Sequence, residues 1–562
     1  MLMFLLVVAS IASAAEIIYV DDDASAGGDG STWDTAFKYL QDGMAVTSYG
    51  DEIRVAQGSY IPDQNSVNPS GTGDREATFQ LISGVALKGG YAGAGEPDPN
   101  ERDIEVYETI LSGDLAGNDE PDFANNVENS YHVTVSSGTD PNTVLDGLTI
   151  TGGNADGPWQ DRQGSGSGMY NNNGSPTLTN CTFSGNSADG IYVGGGGGMY
   201  NNNGSPTLIN CTFIDNSAEW SSGGMCNLYG SSTLTNCAFI GNSAGSGGGG
   251  MLNAWASHPV VLTSCMFIGN TAGMGGAMTS GTSDTTLINC AFIDNSAWAG
   301  GGISGSGGYQ GNITAINCTF IGNSATGKGG GLYYTHCSPT MVNCTFVDNS
   351  AGDYGGGICG EFDSWPDRSV VTNCILWSNI ADEGPQIALT SAGDFNKMSV
   401  SYTCLQGGQL DIYLGIKNTE LIWGDGNIDD DPCFADADNG DCHLKSQVGR
   451  WDASSQTWVT DDVNSPCIDA GNPNSDWSAE LWPHGKRINM GMYGGTPQAS
   501  MSPSPAGNIA DLNNNDEVNL NDFACFGVKW QREEILLSED LDRDGFVGID
   551  DLALFAYNWL WY

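Results

Sequence analysis

Between residues 175 and 380, apolar and polar positions return with one spacing. SPTLTNCTFSGNSA begins at Ser175 and returns as SPTLINCTFIDNSA at Ser205. It recurs as STLTNCAFIGNSA, VVLTSCMFIGNTA, TTLINCAFIDNSA, ITAINCTFIGNSA and PTMVNCTFVDNSA, with a degenerate VVTNCILWSNIA at Val370. In the first copy the apolar positions are Leu178, Cys181 and Phe183. Cys181 and Phe183 alternate with threonine, the period of two that marks a strand. Thr177–Thr179 reads as a second short strand, and Gly198-Met199-Tyr200 of the next glycine run as a third. Each glycine run ends on an apolar residue: Met169, Met199, Met225, Met251, Met278, Ile303, Leu332 and Ile358. Three short strands with glycine and asparagine at the bends predict a three-faced coil.

Phe183, Phe213, Phe239, Phe267, Phe292, Phe320 and Phe346 are 25 to 30 residues apart. That is one rung of a parallel β-helix, a repeat architecture in which each unit buries its apolar face on the next. Stacking at about 4.8 Å sets equivalent residues above one another. Asn180, Asn210, Asn236, Asn289, Asn317, Asn343 and Asn373 are then expected to form one ladder at a bend, because asparagine tolerates the left-handed conformation. Asn186, Asn216, Asn242, Asn270, Asn295, Asn323 and Asn349 are expected to form a second.

Eight cysteines share one repeat position: Cys181, Cys211, Cys237, Cys265, Cys290, Cys318, Cys344 and Cys374. Two residues before an inward phenylalanine, they read as small apolar fillers, a stack of reduced thiols. Sixteen cysteines in an exported chain keep neighbour pairing open as the other reading. No Cys-x-x-Cys spacing or Cys/His cluster points to metal. For Cys404, Cys433, Cys442 and Cys467, beyond the regular repeats, disulfides and free thiols are both open.

Composition narrows the class. The 562 residues include 81 glycines, a poor basis for helix and a good one for a turn-rich β protein. Lys and Arg number 17 against 67 Asp and Glu, a formal charge of −50. Such a chain repels phosphate backbones, which excludes nucleic acid as a partner. Residues 1–15, MLMFLLVVASIASAA, carry an apolar core and an Ala-Ser-Ala cleavage signal. They read as a signal peptide, although its start has no Lys or Arg; a buried N-terminal strand is the other reading. No later stretch is long and apolar enough to span a bilayer, so the mature chain is expected at a cell surface or outside the cell.

The repeats resemble those of chlamydial polymorphic outer-membrane proteins, in which a glycine-glycine-apolar motif alternates with F-x-x-N. Here these read GGMY at Gly197, GGAM at Gly275, FSGN at Phe183 and FIDN at Phe213. The resemblance implies a right-handed parallel β-helix and a surface or extracellular setting. Those proteins end in a membrane barrel, whereas no long series of amphipathic strands follows the repeats here. Before the repeats, EIIYV at Glu16 reads as a strand and TAFKYLQDGMAV at Thr35 as a short helix; irregular coils with long acidic insertions follow. After them, SPCIDAGNPNSD at Ser465 and GKRINMGMYGG at Gly485 are similar to the closing module of large bacterial β-helix surface proteins.

A proline-containing linker at 501–507 leads to the strongest chemical signal. In DLDRDGFVGIDD, Asp540, Asp542 and Asp544 are spaced two apart, Gly545 allows a sharp turn, and Asp551 closes the twelve-residue loop. With the Phe546 carbonyl this is the oxygen-ligand spacing of an EF-hand-type calcium loop, closed by Asp instead of Glu. DLNNNDEVNLND is the earlier copy, with Asp511, Asn513, Asn515, the Glu517 carbonyl, Asn519 and Asp522 as ligands. Asp516 stands there where glycine is expected. Each loop runs into a helical segment. Two such units 29 residues apart resemble a type I dockerin domain over residues 508–562. The resemblance implies two Ca2+ ions, a cohesin-type partner, and partner-reading positions near Leu520, Asn521, Ile549 and Asp550. These differ from the Ser/Thr pair common in cellulosomal examples, which leaves the particular cohesin open.

The expected organisation is a signal peptide at 1–15, a cap and irregular coils at 16–160, regular repeats at 161–400, closing coils at 401–500, a linker, and the dockerin-like domain at 508–562. The fold class is all-β, a right-handed parallel β-helix with a small α-helical calcium-binding domain. The leading functional expectation is a protein that binds or scaffolds at a polysaccharide or cell surface and docks through its dockerin. The alternative is a polysaccharide lyase or glycoside hydrolase on the β-helix; the third is an autotransporter-like adhesin. A lyase needs a positioned base, and Lys328 is the one Lys or Arg between Arg162 and Arg368. A hydrolase needs clustered carboxylates. Asp215, Asp294 and Asp348 share a repeat position, but glycine replaces them in other copies, the pattern of a turn. The sequence pairs neither His258 nor His336 with a catalytic acid or nucleophile, and both read as surface or structural histidines. Tyr192, Trp220, Trp255, Trp298, Tyr309, Tyr333, Tyr334 and Tyr354 flank the glycine runs, where stacked coils could align some into a sugar-binding strip.

Overall fold

The computed structural model describes residues 15–158, 163–190, 195–306, 311–361, 368–390, 396–415 and 419–561. The signal-peptide reading (except Ala15), Arg162, Tyr192 and Tyr309 lie outside these. The chain divides into two compact units, residues 1–233 and 234–562.

In the first unit, each coil contributes one strand to each of three parallel sheets. Thr177–Thr179 pairs with Thr207–Ile209, Thr182–Ser184 with Thr212–Ile214, and Met169–Asn172 with Met199–Asn202, in each case like on like. A fourth, two-residue pairing of Ser187–Ala188 with Ser217–Ala218 is too short to show a period in the sequence. The earlier coils are irregular but keep the same sheets. Ile17–Val20 pairs with Glu52–Ala56, which pairs with Ala86–Tyr91. The expected N-terminal helix spans only Leu40–Val46. Phe37 instead extends beside Val20.

The second unit repeats the pattern. Val260–Thr263, Thr285–Ile288 and Ile313–Ile316 succeed one another in one sheet. Met266–Ile268, Ala291–Ile293, Thr319–Ile321, Thr345–Val347 and Ile375–Trp377 do so in a second. Met251–Ala254, Met278–Gly281, Ile303–Ser306, Leu332–Thr335 and Ile358–Glu361 form the third.

The core is a set of stacks. Phe183 lies 4.8 Å from Phe213 with rings nearly parallel. Phe239, Phe267, Phe292, Phe320 and Phe346 continue likewise in the second unit at 4.3 to 5.1 Å. The apolar residues ending the glycine runs, such as Met278, Ile303 and Leu332, are fully buried. Glycine is required before them: Gly275 has φ of +63°, and a Cβ there would lie 2.2 Å from the Met278 carbonyl oxygen. The repeat cysteines are buried, and none of the described cysteines is in a disulfide. Cys290 Sγ lies 3.6 Å from the Leu262 oxygen of the preceding coil. Cys404, Cys433, Cys442 and Cys467 are likewise thiols. Burial pushes the Cys442 thiol up to about 12.

The Asn186-type ladder is continuous within each unit. Asn186 Nδ2 donates to Asn216 Oδ1 at 3.0 Å. In the second unit Asn242, Asn270, Asn295, Asn323 and Asn349 each donate to the next, ending at Asn379, over 2.9 to 3.0 Å. Nδ2 also donates to a phenylalanine carbonyl of the preceding coil, as from Asn295 to Phe267 at 2.9 Å. A second inward ladder, which the sequence reading missed, runs from Asn171 to Asn201 to Asn227 at 2.6 and 2.5 Å.

The Asn180-type residues adopt the expected left-handed φ of 51 to 55°. Their ladder holds in the first unit, where Asn210 donates to Asn180 at 3.0 Å. In the second unit the expectation fails for Asn317, Asn343 and Asn373. Asn317 Nδ2 donates to the Met492 and Gly494 oxygens, Asn343 Nδ2 to Gly494, and Asn373 Nδ2 to Ser475 Oγ. The closing module takes these amides because it lies along the bends. Met492 and Tyr493 pack on Ile321, Val347 and Cys442. Met490, Ile468 and Cys467 pack on Ile375 and Cys404. Within this module, buried Glu480 accepts the Asn489 and Gly495 N–H groups at 2.8 Å. Burial pushes its carboxyl up to about 8, against those two N–H groups.

Asn295→Ala removes an acceptor shared by the Asn270 N–H and Nδ2. It is expected to cost about 3 kcal/mol in urea unfolding, whereas the exposed Thr235→Ala stays within about 0.5 kcal/mol. Glu480 is expected to lower stability as pH rises from its ordinary 4.5 to about 8, because the folded state there keeps a proton that the unfolded chain releases. Melting temperature measured against pH checks this, and Glu480→Gln should flatten the slope.

Candidate functional site: the paired acidic loops

Residues 508–561 contain two copies of one backbone. The first loop leads into the helix Leu520–Lys529 and the second into Ile549–Tyr557. Asn514 and Arg543, at the fourth loop position, have φ of 57° and 62°. Asp516 and Gly545, at the sixth, have 67° and 89°. The missing glycine of the first loop thus does not change the turn; Asp516 adopts it and ion-pairs with Lys486. Val518 and Val547, at the eighth position, are buried and make backbone bonds crosswise. Val518 exchanges bonds with Leu560 and Trp561 beyond the second helix, and Val547 with Gln531 and Arg532 beyond the first. Around them Ala510, Val518, Leu541 and Phe555 form a small core.

The closing aspartates do two jobs. Asp522 is buried and accepts the Asn513 N–H at 3.2 Å and the Asn519 N–H at 2.9 Å. Asp551 is buried and accepts Leu541, Asp542 and Gly548 N–H groups at 2.6, 3.0 and 2.7 Å. Each so ties its loop and, reaching back to the residue before the helix, caps it. At the first position, Asp511 accepts from Asn515 and Asp516, and Asp540 from Asp544 and Gly545. Asn515 Oδ1 accepts the Glu517 N–H, and Asn519 Oδ1 the Asn521 N–H. Asn513, Asn515, Glu517, Asp542, Asp544 and Phe546 are exposed.

Asp540, Asp542 and Asp544 bring carboxylate oxygens within 4.8 Å of one another. Burial first, and the Asp551 and Asp544 charges with it, hold Asp540 above the usual carboxylate range against the Gly545 N–H. Asp542 is raised by burial first and by the Asp551, Asp544 and Asp550 charges, against the Asp544 N–H. Asp511 is raised by burial and by Asp522, against the Asn515 N–H and Lys486. Convergent oxygen donors without a cation among them fit a hard divalent ion. Leu520 and Ile549, at matching positions, are 72% and 68% exposed. Asn521 and Asp550 beside them are also exposed. The module rests on the closing module through Arg543, which donates to the Trp482 carbonyl and lies 5.2 Å over the Trp458 ring.

On the β-helix, Asp215, Asp294 and Asp348 have φ of 51 to 55°, the left-handed turn that Gly241, Gly269 and Gly322 adopt in other copies. Lys328 is ion-paired to Glu361 at 2.8 Å, and Tyr333 donates to the same carboxylate at 2.7 Å. Tyr334 is fully buried and its hydroxyl accepts from Ser369, so it belongs to the core and not to a surface strip. Trp220, Trp255 and Trp298 are exposed. His336 Nδ1 lies 2.8 Å from Thr335 Oγ1.

A family model described as a right handed beta helix region matches residues 168–346. One described as disaggregatase related matches 415–471, and the repeat of the Chlamydia polymorphic membrane protein matches 343–361. The chain thus carries a right-handed parallel β-helix with a chlamydial-type repeat. Among solved structures it is similar to a pectate lyase at 13% identity and a TM-score of 0.41, over 85% of this chain and 96% of that one. A rhamnogalacturonan lyase matches at 13% identity and a TM-score of 0.34, over 80% and 96%. No curated protein matches. Among the described residues, no helix is long and apolar enough to cross a membrane.

Asp551→Asn keeps the size but leaves one carbonyl oxygen for three N–H groups. It is expected to speed amide exchange in residues 540–551 about tenfold, the equivalent of about 1.4 kcal/mol, with the Phe-stack coils unchanged.

Proposed function

We propose that this is an exported β-helix protein that binds or scaffolds at a polysaccharide or cell surface, and that its C-terminal module attaches it, in a calcium-dependent way, to a cohesin-type protein domain. The observation that carries the reading is the duplicated loop–helix unit, with acidic oxygens converging in the loop and an exposed apolar residue opening each helix. In this reading Asp540, Asp542, Asp544, Asp551 and the Phe546 carbonyl hold one Ca2+. Asp511, Asn513, Asn515, Asn519, Asp522 and the Glu517 carbonyl hold the other. The ions neutralise carboxylates that otherwise repel, and so stiffen the surface that presents Leu520, Asn521, Ile549 and Asp550 to the partner.

The secreted setting rests on the leader-like residues 1–15 and on the chlamydial-type repeat. The polysaccharide lyase or hydrolase alternative assigns turnover to the β-helix. On this chain Lys328, its candidate base, is ion-paired to Glu361, whose carboxylate also accepts the Tyr333 hydroxyl.

The full-length protein is expected to retain at least one member of a cohesin panel in Ca2+ and to lose it in EGTA. Leu520→Asp with Ile549→Asp should weaken retention at least about tenfold, as loss of buried apolar contacts does. Retention that ignores chelator, or no retention across the panel, rejects the docking role. Release of unsaturated or reducing sugar ends from a polysaccharide panel would replace scaffolding by catalysis.

A further inference from the structure

The acidic insertion between the strands Thr109–Ser112 and Thr134–Ser137 holds a second convergence of oxygens, in the first unit. Asp114, Asp119 and Glu128 each bring a carboxylate oxygen within 4.8 Å of the others. Asp114 organises the loop. Its Oδ1 accepts the Ala116, Gly117 and Asn118 N–H groups at 3.2, 2.7 and 3.2 Å, and its Oδ2 accepts Asp119 N–H at 3.0 Å. Those bonds explain the turn but not why three carboxylates meet.

The independent observation is Asn129. It is 0% exposed, and its Nδ2 donates to Asp119 Oδ2 at 2.8 Å, which turns its amide into the cluster. Its Oδ1 is buried without a hydrogen-bond partner, and so is Glu128 Oε1. A buried acceptor without a donor is destabilising, and carboxylates cannot supply the donor. Two orphaned buried acceptors, on Glu128 and Asn129, beside three converging carboxylates call for a cation. Arg75, the nearby guanidinium, is committed elsewhere. It donates to the Asn129 and Asn154 carbonyls and to Asp156 at 2.7 Å, and stacks on Tyr131. None of the ion pairs among the described residues reaches the three carboxylates.

We propose that residues 114–129 form a divalent-cation site, with the carboxylates of Asp114, Asp119 and Glu128 and the amide oxygen of Asn129 as ligands and Ca2+ as the ion. The donor set is all oxygen, the choice of a hard cation, and it includes no imidazole or thiolate of the kind zinc prefers. A loop mixing carboxylate and amide donors suits calcium's irregular shell better than the strict octahedron of magnesium. The bound ion would fasten the insertion to the flank of the coils through Asn129, whose neighbour Ser130 donates its N–H to Gly113. The site stands independently of the C-terminal loops.

The test uses the full-length protein. Metal content is measured after gel filtration for the native chain, for Asp119→Asn with Glu128→Gln, and for Asp511→Asn with Asp540→Asn. The first pair is expected to lose one Ca2+ per chain, and the second pair to keep that ion. In parallel, limited proteolysis of the native chain is mapped in Ca2+, Mg2+ and EGTA. Cleavage within residues 114–130 should be at least about tenfold slower in Ca2+ than in EGTA, from ligand-linked protection. Equal protection by Mg2+ overturns the calcium assignment. Unchanged metal content in the first pair, or a cleavage rate that ignores chelator, overturns the site. If that pair does not fold, the native-chain cleavage rates decide alone.

Discussion

The buried asparagine amide is the interaction on which the solenoid depends. An amide offers an acceptor and two donors, so identical amides stacked at the inter-strand spacing satisfy one another. Asn295 illustrates the arrangement: its oxygen accepts from Asn270, while its nitrogen reaches Asn323 and the Phe267 carbonyl. No apolar residue could serve at this bend, because the neighbouring N–H and C=O groups would be orphaned in the core. With the bend fixed in every coil, Phe must fall on Phe and thiol on thiol. Loop length between bends can then vary, as the irregular intervals between phenylalanines show.

The repeating part of the fold was legible because each coil meets a copy of itself. Periodicity therefore predicted the strands, the phenylalanine stack, the Asn186-type ladder and the inward thiols. It failed where a coil meets something else. Asn317 and Asn343 look like Asn180 in sequence, yet their amides go to Met492 and Gly494, some 150 to 177 residues away. The Asn171–Asn201–Asn227 ladder was hidden in strands that read Met-Tyr-Asn-Asn twice and then Met-Cys-Asn-Leu, with no repeated polar position after the asparagine to mark it. Tyr333 and Tyr334 are adjacent and aromatic, and only alternation across a strand tells which faces inward.

The acidic sites differ in the same way. The C-terminal loops declared themselves through oxygen-bearing residues spaced two apart, Asp540, Asp542 and Asp544 in one and Asp511, Asn513 and Asn515 in the other, and their backbones are alike even where Asp516 replaces glycine. The cluster in the N-terminal insertion has spacings of five and nine residues and no motif. It appears only when the loop folds back and buries Asn129. In both places three carboxylates converge within 4.8 Å of one another.

The closing module runs back along the bends instead of sitting on the last coil, and that has a mechanical consequence. A pull applied to the C-terminal helices passes through Arg543 and Lys486 into residues 482–501. From there it reaches Asn373, through the Gly491 N–H, and Asn343 and Asn317 with it, three coils at once. Bonds loaded side by side in shear share the force, whereas a terminal coil pulled from its end would unzip one rung at a time. The C-terminal helices are thus riveted across three coils and not tied to the last one.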